Sequence, residues 1–208
     1  QLINAETNGA SRRYQWRKVP SQVTTAGYWF DLSLSPGNPV PKYWFDATPL
    51  IAKSIAQSTD GGLWHGPDTA PKQQYLRMTT AMSSSGTGLP LPLVLCDYLL
   101  YYPSIDDSLT DEQVLDNTVT LPRYTDGKGV QVIAVSVAGR TGGQSFYFTY
   151  TNSDGVSGRT SQIVQENAIA AIGTIVTSSL STLGQSGNPF IGLQSGDTGV
   201  RSIESVTM

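Results

Sequence analysis

Cysteine and histidine are almost missing from this chain: Cys96 and His65 are the only examples among 208 residues. A lone cysteine excludes an intramolecular disulfide framework and a Cys-rich zinc site. A lone histidine leaves little from which to build a His-based metal centre or a catalytic triad. Charge is also scarce, at 14% Asp, Glu, Lys and Arg with a net charge of -3. The one basic group, Arg12, Arg13, Arg17 and Lys18, is too small a field to neutralise a run of phosphates. Nucleic acid is therefore not an expected partner. No apolar run is long enough for a helix to cross a bilayer, so no membrane is expected either. The opening Gln-Leu-Ile-Asn has none of the charged-then-apolar pattern of a signal peptide.

What the chain has instead is turn formers, 21 Gly and 12 Pro. Short runs of aromatic and β-branched residues lie between them, which points to an all-β protein. The clearest stretch runs from Gly129 to Gln165. Val130 to Ala138 is apolar at almost every position. A strand with no polar face is one covered on both sides, so this run is expected to be central. Ser145 to Asn152 alternates, with Phe146, Phe148 and Tyr150 on one face and Tyr147, Thr149 and Thr151 on the other. Asn152-Ser153-Asp154-Gly155 closes a hairpin, and the mostly polar run Val156 to Gln165 returns as an edge or solvent-facing strand. Further strands are expected over Gln74 to Met82, through Ala168 to Ser181, over Pro189 to Leu193 and over Val200 to Met208.

Two helical pieces are expected. Thr48-Pro49 reads as an N-cap and first helical position of a helix reaching Gln57, with Ile51, Ala52, Ile55 and Ala56 as its apolar stripe. Thr110 and Gln113 form a possible capping box for one helical turn. Residues 1 to 27 read as an extended N-terminal segment. Leu89 to Tyr102 is the most apolar stretch, in which Leu93, Val94, Leu95, Leu99 and Leu100 are expected in the core and Cys96 as a small buried hydrophobe. The chain divides as an N-terminal arm and aromatic-rich subdomain over 1–72 and a β-domain over 73–208. That β-domain is expected to be cut short at its C-terminal end, because the chain starts at Gln1 and stops at Met208 inside a predicted strand.

Candidate functional residues are aromatic. Tyr28-Trp29-Phe30-Asp31 recurs as Tyr43-Trp44-Phe45-Asp46 across a Pro-rich loop. Tyr28, Trp29, Tyr43 and Trp44 could stack on sugar rings, or form a hydrophobic mini-core or a subunit contact. Tyr14 and Trp16, amid the basic group, could anchor an arm on a neighbour. These six are the expected protein-contact residues. Asp106, Asp107, Asp111, Glu112 and Asp116 gather five carboxylates. They lack the spacing and central Gly of a calcium loop, and nothing selects a pair for glycoside hydrolysis. His65 beside Trp64 reads as a loop residue. No catalytic residue, cofactor or metal is expected.

Several blocks carry a resemblance. They are Pro92 to Pro103, Thr110 to Val114, Leu121 to Gly127, Gly142 to Phe146, Thr149 to Asn152 and Gly196 to Val206. Together, over roughly residues 89–208, they resemble a family of virion structural proteins of tailed bacteriophages, of the head decoration or minor capsid type. The resemblance implies an antiparallel β-sandwich or jelly-roll-like domain that decorates, cements or helps build the head shell at the capsid surface. It implies the major capsid protein or other virion proteins as partners, and a homo-oligomer, a trimer being favoured by shell symmetry. Members of the family continue past the counterpart of Met208 with a further apolar strand. The alternative is a virion-surface or tail-associated carbohydrate-binding module. An enzyme is not expected.

Overall fold

The computed structural model describes residues 2–9, 11, 13–20, 27–67, 93–140, 142–169, 171–177 and 188–208. Its regular structure is almost entirely β. In chain order the elements are α1 (Leu2–Thr7), β1 (Arg17–Lys18), β2 (Gly37–Asn38), β3 (Lys53–Ser54) and β4 (Leu100–Tyr101). They continue with β5 (Gln113–Val114), β6 (Ser145–Asn152), β7 (Arg159–Thr160), β8 (Val164–Gln165) and β9 (Val200–Thr207). All named strands pair antiparallel.

The centre is the β6–β9 pair. Strand β6 has the bounds its alternation predicts, and Phe146, Phe148 and Tyr150 are its buried face. Tyr147 faces Thr207, Phe148 faces Val206, and Asn152 faces Val200, with two register shifts between. Strand β5 adds beyond β9, β7 beyond β6, and β8 pairs the start of β6. The turn at Asn152 closes as its sequence requires: Gly155 sits at φ 81° and donates its N–H to Asn152 O at 3.0 Å. The polar return strand lies at the sheet edge, broken into β7 and β8.

The rest of the chain adds short ladders. Strand β3 pairs β4, Ile51 bridges Asp116, Phe30 bridges Thr174 and Val135 bridges Ile175. Ladder bonds therefore run between residues 29–55 and residues 99–116 and 173–175. One apolar cluster joins Leu115, Phe146, Phe148, Tyr150, Val164, Val176, Ile191, Val200 and Val206. A second joins Leu34, Trp44 and Ile55, with Tyr98, Tyr101, Val135 and Val137 packed on it.

Five expectations are corrected. The helix over Pro49 to Gln57 is absent. Leu50 takes a positive φ of 62°, and the N–H groups of Leu50, Ala52 and Ile55 go to Pro103, Asp116 and Leu99, at 2.9 Å each. Tertiary ladder bonds have overridden local propensity. Thr48 is no N-cap; its own N–H is taken by Asp46 Oδ1 at 2.9 Å. The helical turn at Thr110 is also absent, because Gln113 is buried and clasps Asp106, Nε2 to its C=O at 2.8 Å and Oε1 to its N–H at 2.9 Å. The N-terminal segment is not extended throughout, since Leu2–Thr7 is helical. Leu93, Val94, Leu95 and Cys96 are exposed rather than core, while Leu99 is buried. Finally, Val130 to Ala138 is extended but half-buried over most of its length, with hydrogen bonds along one edge. The expected strand over Gln74 to Met82 and the division at residue 72 lie outside the described residues, as does the end of the run through Ser181.

One close approach fixes how the Val130–Ala138 run joins the β6–β9 sheet. Lys128 bridges Gly199, and a Cβ on Gly199 would stand 2.0 Å from Gly127 O and 2.7 Å from Gly129 N. Both neighbours are backbone and cannot rotate away. Gly199→Ala is expected to cost at least ~2 kcal/mol as overpacking, measured by urea unfolding. An unchanged midpoint would mean that the two segments separate freely.

Candidate interaction groove

The Val130–Ala138 run and the Tyr98–Ile105 segment wall a groove of about 820 Å³. That size lies within the range, roughly 300–1,000 Å³, of cavities that bury a whole ligand. Phe146, Phe148, Ile203, Val206 and Met208, from β6 and the β9 end, also line it. The alternation of β6 is the reason: one side chain in two must face inward, and these are the large apolar ones.

Two polar clusters border the groove. The first surrounds Asp31, which lines it and is buried. Asp31 Oδ1 accepts the Ser33 N–H at 2.8 Å, while Oδ2 makes no hydrogen bond of ordinary geometry. Burial raises its pKa, and hydrogen bonding from Ser33 and the nearby Tyr98 and Trp44 side chains tempers the rise. Burial first, then the Asp31 charge, pushes the Tyr98 phenol far up. The same two causes push up the Cys96 thiol, so it is no activated nucleophile.

The second cluster is an ion pair, Arg140 Nη1 to Glu166 Oε2 at 3.2 Å, with both side chains nearly inaccessible. Arg140 also donates to Ser136 Oγ at 2.7 Å, to Ile169 O at 2.7 Å and to Asn167 Oδ1. Burial raises the Glu166 pKa, Arg140 opposes that, and Asp107 adds to it. Asp107 in turn accepts the Gly142 N–H at 3.2 Å.

The six expected contact residues are not brought onto one face. Trp44 is 6% exposed and packs edge-on to Tyr98 at 5.7 Å, whereas its neighbour Tyr43 is 60% exposed. In an extended run adjacent side chains point to opposite sides, so these two do not share a platform. Tyr28 and Trp29 are half-buried, and Trp29 O accepts the Ile175 N–H at 3.0 Å. Tyr14 is exposed and donates its hydroxyl to His65 O at 2.7 Å; Trp16 is half-buried. In the basic group, Lys18 Nζ serves a structural purpose, donating to Pro39 O at 2.6 Å and Ser35 O at 3.3 Å.

Two carboxylates of the acidic run are taken up locally, while Asp107 reaches Gly142. Asp106 accepts from Ser108 and Asp116 from Thr118, and no group of three metal-ligating side chains occurs among the described residues. The groove itself went unread in the sequence, although its signal was there: an apolar run with no polar face needs a second cover. No family model matches the chain, no curated protein matches it, and no solved structure matches it.

Proposed function

We propose that this chain is a structural component of a bacteriophage virion, a capsid decoration, cement or minor capsid protein that binds and stabilises the head shell. The virion setting rests on the sequence resemblance. The observation that carries the structural part of the reading is the groove, where an apolar wall lies beside extended backbone that, among the described residues, is hydrogen-bonded along one edge. Such surfaces suit proteins completed by their neighbours in an assembly. In this reading the β6–β9 sheet and the ladders around Val130 to Ala138 and Tyr98 to Ile105 form the two layers of a sandwich with one layer open. The major capsid protein is the partner at the shell, and the chain works as an oligomer.

The test is co-sedimentation of the purified chain with emptied heads of its source virus. Saturable binding at a fixed ratio to the major shell protein is expected, and that ratio reports the symmetry position. Absence of binding at every ratio rejects the shell role. Glycan binding lost in Tyr43→Ala would instead move the chain to the surface-carbohydrate reading.

A further inference from the structure

Asparagine followed by glycine is the pairing in which a backbone most readily attacks its own side chain. The glycine N–H gives up its proton and the nitrogen adds to the asparagine Cγ. A succinimide ring closes, the Cγ–Nδ2 bond breaks and ammonia leaves. Water then opens the ring at one carbonyl or the other, giving aspartate or isoaspartate, so the net reaction takes up one water and releases one ammonia. Glycine favours it because no Cβ crowds the closing ring and its dihedrals turn freely.

The chain has seven asparagines, and Asn8 alone precedes a glycine. The route is closed at the other six. Asn38 and Asn188 precede Pro39 and Pro189, which have no N–H. Asn152 and Asn167 are buried with both ends of the carboxamide held. Asn152 gives Nδ2 to Asp197 at 2.9 Å and takes the Asp154 and Val156 N–H groups on Oδ1, at 3.0 and 2.9 Å. Asn167 gives Nδ2 to Ile175 O at 2.9 Å and takes the Ile169 N–H on Oδ1 at 3.0 Å. Asn117 is clasped between the Tyr102 hydroxyl at 2.7 Å and Ile203 O at 2.8 Å. A carboxamide held at both ends cannot swing onto the next nitrogen. Asn4 lies inside α1, where helical dihedrals are fixed and Ala5 follows with its Cβ.

Asn8 has none of these restraints. It is exposed just past the end of α1, and its carboxamide makes no hydrogen bond among the described residues. Gly9 sits at φ 63°, with no atom within 4 Å of the place a Cβ would take. Its N–H is held by no hydrogen bond among the described residues. Gly127 and Gly155, which follow aspartates, differ in this: their N–H groups are spent on Tyr124 O at 2.7 Å and Asn152 O at 3.0 Å.

We infer that Asn8–Gly9 is a self-modifying site, which converts to aspartate and isoaspartate without an enzyme while the other asparagines of the folded chain survive. The product sets a carboxylate at the C-terminal end of α1, where the unpaired carbonyls are already negative. Among the described residues α1 packs on none of the named strands, and a helix of six residues is marginal by itself. Conversion therefore weakens α1 and leaves the β6–β9 sheet as it is.

The test is to hold the full chain at mildly alkaline pH and map it by peptide mass spectrometry, with isoaspartyl methyltransferase labelling the isoaspartate. Product is expected at residue 8 alone, at the rate of a free peptide spanning Thr7 to Ser11, since nothing in the fold restrains it. Asn8→Gln and Gly9→Ala are each expected to lose the product over the same incubation. Both positions are exposed, so the urea midpoint should stay in place. In the converted chain the NMR shifts of Leu2 to Thr7 should move toward coil values while those of β6 hold. An intact Asn8 after the peptide has converted, undiminished product in Gly9→Ala, or conversion at Asn152 or Asn167 of the folded chain overturns the proposal. Unmoved α1 shifts in converted chain overturn the link to the helix.

Discussion

Asp197→Ala is expected to lower stability by about 3 kcal/mol, the scale for leaving two buried hydrogen-bond donors without their acceptor. For a chain of this length that is a fall in melting temperature of roughly 6–12 °C. Asp197 sits in the turn before β9 and is the point on which several groups converge. Tyr150 donates its hydroxyl to Oδ2 at 2.6 Å, Asn152 Nδ2 reaches Oδ1 at 2.9 Å, and Arg159 spans both oxygens at 2.9 and 3.1 Å. The side chain is almost fully buried. Truncation would leave Tyr150 and Asn152, both buried in β6, without their acceptor.

The same contacts give a pH signature. Hydrogen bonds from Arg159 and then Tyr150 hold the Asp197 carboxyl down to about 2, from an ordinary 3.8. A depressed carboxyl contributes stability that is fully present above pH 3.8 and is lost as pH falls toward about 2. Urea unfolding of the wild type over that window should show this acid limb, and Asp197→Asn should lack its share of it. Equal acid limbs in the two proteins would mean that the carboxylate is not what holds the turn.

How much of this was readable in advance follows from where the information lies. Strand β6 was legible because every determinant is local: aromatic residues at period two and an Asp-Gly turn at its end. Strand β9 was legible for the same reason. The segment from Pro49 to Gln57 was not, because its N–H partners Pro103, Asp116 and Leu99 lie far along the chain and no local pattern encodes them. Gln113 misled in the same way. A residue suited to a capping box is spent on clasping the Asp106 backbone.

The Val130 to Ala138 run is the instructive case. Its composition predicted a central strand covered on both sides, whereas among the described residues it is half-buried, with ladder bonds on one edge and a groove beside it. The aromatic echo drew attention to Trp29 and Trp44, but its fourth residue mattered more. Asp31 is buried at the groove, whereas Asp46 is bound up with Thr48. Sequence repetition cannot distinguish those two environments.

The second large effect concerns Arg140, and here the comparison between single and double variants carries the argument. Arg140→Leu is expected to cost about 3–5 kcal/mol, because it leaves the Glu166 carboxylate buried without its cation. It also frees Ser136 Oγ and the Ile169 carbonyl. Adding Glu166→Leu removes the stranded charge, and most of the loss is expected to return, since an apolar pair of similar volume often replaces a buried ion pair at little cost. The pH response should run opposite to that of Asp197. Burial already raises the Glu166 pKa above 4.5, against the pull of Arg140. A carboxyl raised in the folded state destabilises that state while ionised, and the penalty is relieved as pH falls through the folded pKa and vanishes below 4.5. In Arg140→Leu the opposing pull is gone, so the variant should gain stability on acidification from neutral pH to pH 4.5 by more than the wild type does. If the single and double variants were equally unstable and neither responded to pH, the ion pair would be incidental. The groove end would then be held by the Ser136, Asn167 and Ile169 contacts alone.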